Sequence, residues 1–314
     1  MNWTDGTNAV HATDGVVSLT RFRPSDAETM FIGDSDPEFR RRFDFPDDFM
    51  ESRAHTHRVI TRWAEEWTQG TRYGFAVRDT DTDALLGGAE LQPGAPGSAS
   101  IAYWTYAESR RRGVATRALA LLLGIARDRF GIYQFELLVD PDNVASRRVA
   151  TRSGFTEVSQ RDGRVLYVAA SAPVGSARKV VDKVLVYVVA KQRLLVFKQP
   201  EVPGGGRQVP GGSFEPGETA VQAAIREAEE ETGLSGFFGF RYLGSRLFES
   251  RTWTDLLFHR HFFLLEHPGT DVERWQHWER TPSTGGAPIL FDFEWVPLAE
   301  VALDWEMDAF LGGP

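Results

Sequence analysis

One stretch, GSFEPGETAVQAAIREAEEETGL from Gly212 to Leu234, restricts this chain more than any other. Its acidic residues are too concentrated and too regularly placed for an ordinary solvated helix. Gly211 and Gly212 predict a turn, Pro216-Gly217-Glu218 a helix start, and Ala220, Ala223, Ala224 and Ala228 a small-residue face that packs closely on a sheet. Gly233 predicts the stop. Glu227, Glu230 and Glu231 stand at i, i+3 and i+4, so their carboxylates converge on one side of the helix and repel unless a cation neutralises them. Oxygen-only ligation of this kind suits magnesium or manganese.

The segment resembles the signature of the Nudix family of magnesium-dependent pyrophosphohydrolases: Gly212, then Glu218, then Arg226-Glu227-Ala228-Glu229-Glu230-Glu231-Thr232-Gly233-Leu234. Ala228 alone departs, being smaller than the usual aliphatic residue. The resemblance implies an α/β/α sandwich on a mixed sheet and a Mg2+ or Mn2+ site built from Glu227, Glu230, Glu231 and Gly212. It assigns catalysis to the same three glutamates. Arg226 is expected to pin the ligand carboxylates and Glu218 to hold the helix opening or reach a second ion through water. The general base is open among Glu231, Glu279 and Glu294.

With 314 residues the chain is long enough for two globular domains. Cysteine is absent, which excludes disulfides, thiol nucleophiles and Cys-ligated zinc. MNWTDGTNAV has neither the basic start nor the apolar core of a signal peptide, so a cytoplasmic soluble protein is expected. The net charge of −9 argues against a nucleic-acid partner, and the apolar runs are far short of a membrane span.

Residues 1–15 are expected to be frayed, 16–170 to form a first domain, 171–177 a linker, and 178–314 the Nudix-like domain. Alternation predicts strands at Val16–Phe22, Tyr73–Arg78, Leu85–Leu91 and Ser100–Thr105, the last three an antiparallel meander across the turns DTDTD and QPGAPG. Helices are expected after Pro24, with Ser25 or Asp26 as cap, after Asp36-Pro37, and from about Asp47 to Thr68. His55 and His57 read as solvent-facing. Arg110-Arg111-Arg112-Gly113-Val114-Ala115 then opens an apolar helix, and a helix N-terminus beside three arginines suits a pyrophosphate. Phe135–Val139, the turn Asp140–Asn143 and the helix Val144–Thr151 follow.

Together these segments resemble the GNAT N-acetyltransferase family, most closely its branch acting on ribosomal-protein N-termini. The resemblance implies a mixed, largely antiparallel central sheet flanked by helices. It places acetyl-CoA pyrophosphate on Arg110 to Ala115 and the pantetheine arm in a parting between the strands ending near Thr105 and Val139. Asn143 would contact that arm, Ser146 would lie near the sulfur, and Glu90 would deprotonate the amine, with Glu108 a second candidate. The acceptor would be an amine, of a protein N-terminus or a small molecule.

In the second half, strands are expected at Arg178–Ala190, Leu194–Lys198, Tyr242–Ser250, Asp255–Leu265 and Ile289–Val296, and a last helix around Ala299–Phe310. Glu266–Pro288 reads as an irregular loop, with Trp253, Trp275 or Trp278 as stacking surfaces for a nucleotide. His259 and His261 share one strand face and read as a packed or hydrogen-bonded pair, because no third nitrogen or sulfur ligand is evident. The positions that mark ADP-ribose and dinucleoside-polyphosphate subfamilies are here near Glu249 and Ser250, so the substrate stays broad: a nucleoside di- or triphosphate or a nucleotide-linked metabolite. Three functions follow: a bifunctional acetyltransferase and hydrolase, a hydrolase with an acyl-CoA-sensing or dimerising GNAT domain, or a nucleotide-binding regulator.

Overall fold

The computed structural model describes residues 10–43, 52–202, 204–250, 255–280 and 287–311. The chain divides into two compact units, Met1–Phe155 with Gln160–Ser176, and Ala177–Pro314 with Thr156–Ser159. Each is mixed α/β, a sheet flanked by helical segments.

In the first unit β1 (Val10–Thr13), β2 (Val17–Arg21), β3 (Tyr73–Asp79), β4 (Leu85–Pro93) and β5 (Ser98–Thr105) form an antiparallel meander. Short, Gly- and Asp-rich connections join β1 to β2, β3 to β4 and β4 to β5, whereas β3 returns to β2 after three helices. β1 falls in the stretch expected to be frayed. The Asp14 carboxylate accepts the N–H groups of Val16 and Val17 at 2.9 Å and Gly15 takes φ +86°, which turns the chain back so that β1 pairs with β2. Residues 1–9 lie outside the described residues. β6 (Gln134–Val139) runs parallel to β5, and β7 (Thr156–Arg161) and β8 (Arg164–Ala170) complete the order β1-β2-β3-β4-β5-β6-β8-β7.

Helix α1 (Ala27–Asp34), α2 (Pro37–Phe43) and α3 (Arg53–Gln69) precede β3, and α3 packs Ile60 and Trp63 against Phe22 and Ala76 on one sheet face. The expected Asp47 start of α3 lies outside the described residues; its N-cap is Ser52, whose hydroxyl accepts from His55 N, and Gly70 ends it at φ +73°. Asp26 stands at the N-cap of α1 but makes no side-chain hydrogen bond to the helix. Its carboxylate is buried and receives Arg78 Nη2 at 2.6 Å and the Arg23 amide at 2.7 Å. The other sheet face is covered by α4 (Val114–Phe130), whose Ala118, Leu119 and Leu122 join Phe75, Ala89, Leu91 and Ile101. α5 (Val144–Arg152) follows β6.

The second unit is built on β9 (Lys179–Ala190) and β10 (Arg193–Lys198), joined by a turn with Lys191 and Gln192 both at positive φ. β11 (Gly211–Ser213) pairs with β9 and leads to α6 (Ala220–Thr232). β12 (Phe238–Glu249), β13 (Leu256–Glu266), β14 (Arg274–Glu279) and β15 (Ile289–Pro297) complete the order β12-β13-β9-β10-β15-β14, with β13 parallel to β9. Two expectations need correction. The region read as an irregular loop contains β14, held to β15 by a six-residue antiparallel register; residues 281–286 of its TPSTGGAP run lie outside the described residues. The expected last helix is a 3-10 turn at Leu298–Glu300 followed by turns, because Trp305 and Glu306 sit at φ +62° and +57°, where an α-helix cannot continue. That segment nevertheless closes the core, as Met307 and Phe310 pack on Leu185, Tyr187 and Phe262, and the Tyr187 hydroxyl donates to Met307 O. Among the described residues no helix is long and apolar enough to cross a membrane.

Candidate functional site

Helix α6 begins one turn later than the Pro-Gly-Glu start predicts. Thr219 is its N-cap in a reciprocal box with Gln222: Thr219 Oγ1 accepts Gln222 N at 3.3 Å, and Gln222 Oε1 accepts Thr219 N at 2.9 Å. Gly233 at φ +71° ends it. Side chains of β14 satisfy the carbonyls left over at this end, Trp275 Nε1 meeting Thr232 O at 3.0 Å and His277 Nε2 meeting Glu230 O at 3.1 Å. This docking carries Glu279, at the far end of β14, toward the glutamates of the helix.

Four carboxylates result. Glu227, Glu231 and Glu279 are 2%, 6% and 9% exposed, whereas half the Glu230 side chain faces solvent. Burial, and then the charge of Glu227, pushes Glu231 well above the usual carboxylate range. Burial likewise raises Glu227, and burial and then Glu230 raise Glu279. Arg226 organises the set: Nε and Nη2 grip Glu218 at 2.7 and 3.0 Å, Nη2 reaches Ser213 O at 2.8 Å, and Nη1 lies 3.0 Å from both Glu227 and Glu230. Gly211 N donates to Glu231 at 3.1 Å. A Cβ on Gly212 would lie 2.2 Å from the Glu227 carboxyl carbon, so only glycine lets the backbone of β11 come this close. Carboxylates raised by burial and then by one another's charge, beside an open backbone, are what a hard divalent cation relieves, and the donor set fits Mg2+ or Mn2+.

The residues outside the quartet separate clearly. Glu294 is held by Arg207 at 2.9 Å and Arg274 at 2.7 Å. It pairs with Arg274 while Glu279 pairs with Ile289, so the two stand about 17 Å apart along the ladder. Glu229 is exposed. Trp275 stacks on Phe293, with centroids 5.3 Å apart, and spends its indole N–H on α6, which removes it as a base platform; Trp278 is 47% exposed, and Trp253 lies outside the described residues. Sequence reasoning missed Lys183. Its half-buried ammonium donates to Ser213 Oγ at 2.7 Å within the field of Glu227, Glu231 and Glu279, while burial lowers its pKa.

The first unit contains a cavity of about 780 Å³. β5 and β6 pair over only four residues, Ser98–Ile101 against Gln134–Leu137, and then part. The cavity occupies the parting and is lined by Glu90, Tyr103, Arg110, Arg111, Gly113, Val114, Ala115, Asn143 and Ser146, but not by Arg112 or by the exposed Glu108. Gly113 at φ +77° starts α4 without a side-chain cap, leaving the amides of the first turn toward the cavity mouth. Arg110 is spent on structure: it pairs with Asp36 and donates Nε to Thr105 O at 3.2 Å. Asn143 Oδ1 caps α5 at Ser146 N, 3.0 Å away.

Ala89 and Leu91 pack on the α4 side, so the alternating Glu90 faces the opposite side. Burial raises the Glu90 pKa, and Gln92 Nε2 donates to it at 3.2 Å. Tyr103, on the α4 side, shares a 2.8 Å hydrogen bond with Ser146 Oγ, and burial pushes its phenol up to about 12. Tyr103 is a second residue the sequence did not single out, since an aromatic in a strand reads as core.

A third cluster was half visible. His259 and His261 are buried and hydrogen-bonded, as expected, but Asp182 joins them, and the three ligating atoms lie within 4.8 Å of one another.

The first unit thus holds a sheet parted beside an uncapped helix start, and the second a helix presenting converging carboxylates beside a glycine backbone. Residues 17–156 match the acetyltransferase (GNAT) domain and residues 179–312 the NUDIX domain. The chain thus joins an N-terminal GNAT domain to a C-terminal Nudix domain. No curated protein matches it. Among solved structures it is similar to a putative ribosomal-protein-serine acetyltransferase from Vibrio cholerae, at 21% identity over 52% of this chain and 99% of that one, TM-score 0.45. It is also similar to the microcin C7 self-immunity acetyltransferase MccE bound to acetyl-CoA and AMP, at 18% identity over 51% and 94%, TM-score 0.45. A third is Mycobacterium smegmatis RimJ with CoA-disulfide, at 22% identity over 50% and 83%, TM-score 0.44.

Proposed function

We propose that the protein is bifunctional: the Nudix domain hydrolyses a nucleoside-diphosphate-linked substrate, and the GNAT domain transfers acetyl from acetyl-CoA to an amine. The observation that carries the first activity is the quartet Glu227, Glu230, Glu231 and Glu279, three of them buried on α6 and β14. A divalent ion held by these carboxylates would supply positive charge to screen a diphosphate and lower the pKa of an attacking water. Arg226 fixes Glu227 and Glu230 in orientation, and Lys183 offers a cation for a phosphate oxygen. Glu231 and Glu279, buried beside Glu227, are the groups placed to accept the proton of that water.

In the GNAT cleft, Glu90 takes a proton from the acceptor amine, which attacks the thioester carbonyl; the C–N bond forms, the C–S bond breaks, and the departing sulfur meets the Tyr103–Ser146 hydroxyl pair. Tyr103 stays protonated at neutral pH and so remains a donor.

The deciding experiment follows phosphate or nucleotide release from a panel of nucleoside di- and triphosphates and nucleotide sugars with magnesium or manganese. Glu230→Gln keeps the side chain's size but removes a charge, and the expected loss of about 3 kcal/mol appears as a rate roughly two orders of magnitude lower. Glu229→Gln serves as the control. Equal turnover in the Glu230 variant on a substrate the parent cleaves would sink the assignment. Release of free CoA with N-terminal peptides and small amines reads the second activity.

A further inference from the structure

The Asp182, His259 and His261 cluster uses none of the residues assigned above. β9 and β13 run parallel with His259 opposite Asp182 and His261 opposite Val184. The two-residue period of a strand places both imidazoles on one face, and the parallel register adds the carboxylate from the neighbouring strand on that face. His259 Nδ1 and His261 Nε2 each lie 2.8 Å from the same oxygen, Asp182 Oδ1. The imidazoles are 1% and 0% exposed while the Asp182 side chain is 37% exposed, so the group has a dry floor and an open mouth. His259 Nε2 meets Ser245 Oγ at 2.9 Å, the outer hydrogen bond that orients a ligating imidazole. Phe214 stands edge-on to His261, centroids 5.5 Å apart, and walls the floor.

A buried hydrogen-bonded trio would account for the two short contacts. It aims two imidazole nitrogens at a single oxygen, and His261 Nδ1 is buried without a partner among the described residues with or without an ion. One ion in the space bounded by Asp182 Oδ1, His259 Nδ1 and His261 Nε2 replaces the two shared protons, with nitrogen and oxygen ligands at about 2.0–2.2 Å. Tetrahedral ligation opens each 2.8 Å nitrogen–oxygen contact to roughly 3.4 Å, and the fourth position falls at the open mouth. Two nitrogens and one oxygen favour a borderline ion over magnesium.

We infer that Asp182, His259 and His261 form a second metal site, for a zinc-class divalent ion, chemically separate from the all-oxygen glutamate site. Such an ion cross-links β9 to β13. The inference does not depend on either proposed activity.

The test uses the full chain, stripped with chelator and titrated with Co2+, whose visible absorption reports a four-coordinate nitrogen–oxygen site, with Zn2+ as competitor. The expected result is one equivalent of Co2+ in the Glu230→Gln/Glu231→Gln double variant, displaced by Zn2+ and unaffected by excess Mg2+. Asp182→Asn is the deciding variant, because it keeps an acceptor oxygen for both rings and so preserves the metal-free network while removing the ligand charge. It should bind at least roughly tenfold more weakly. His261→Gln, checked for folding by circular dichroism, should lose the absorption. Absence of stoichiometric binding in the parent, or equal binding in Asp182→Asn, would overturn the site.

Discussion

Asp34 ends α1 with its carboxyl 4% exposed, and burial raises its pKa to about 7. A carboxyl raised in the folded state favours folding while both states are protonated, and that contribution is lost as pH rises from the ordinary value of 3.8 through about 7. The first domain should therefore lose stability across that window, by up to about 4 kcal/mol, and Asp34→Asn should flatten the profile. Thermal unfolding between pH 4 and 8 checks this; parallel profiles for parent and variant would refute it. Asp26 is a buried carboxylate with a buried partner, since Arg78 lies 2.6 Å away and also donates to Thr20 Oγ1 at 2.9 Å. Removing one member strands the other's charge, so Asp26→Ala should cost about 3–5 kcal/mol in urea unfolding.

At the scale of elements, the contact of β11 with α6 sets the proposed metal centre. Gly212 pairs with Val184 in the sheet and leaves its α-carbon bare against Glu227. A methyl group there meets a carboxylate that Arg226 already holds, so Glu227 has to leave its place. Gly212→Ala should keep the fold by circular dichroism yet weaken Mn2+ binding by roughly tenfold or more, measured by calorimetry. Unchanged affinity would show that Glu227 is not held where the ion binds. The helix end follows the same logic from the other side: Trp275 and His277 close α6 through its carbonyls, and their strand carries Glu279 into the quartet.

For the whole molecule, two sets of site residues belong to two separate sheets, and substitutions in one should leave ligand binding by the other intact. Gly113 stands at φ +77° with open space around its α-carbon, so Gly113→Val both strains the turn and covers the amides of α4. It should abolish saturable acetyl-CoA binding in calorimetry while Mn2+ binding by the glutamates persists. Acetyl-CoA binding that survives this change would place the carrier elsewhere.

Much of both sites was legible in the order of residues, because it depends on contacts within one element. The spacing of Glu227, Glu230 and Glu231 is a helical period, the stop at Gly233 needs a left-handed residue, and Arg110 to Ala115 is a local turn; none requires knowledge of a partner strand. What only the tertiary structure decided are meetings across sequence distance. Pairing of β14 with β15 separated Glu279 from Glu294 and turned Trp275 inward, the parting of β5 from β6 left Glu90 in the cavity wall and Glu108 outside it, and the parallel register of β9 with β13 set Asp182 beside two histidines. The last helix failed to appear for a related reason: its apolar residues fill the core from turns, and helical periodicity alone does not distinguish a helix from turns that bury the same side chains. Period is local chemistry, whereas register and burial are properties of the assembled sheet.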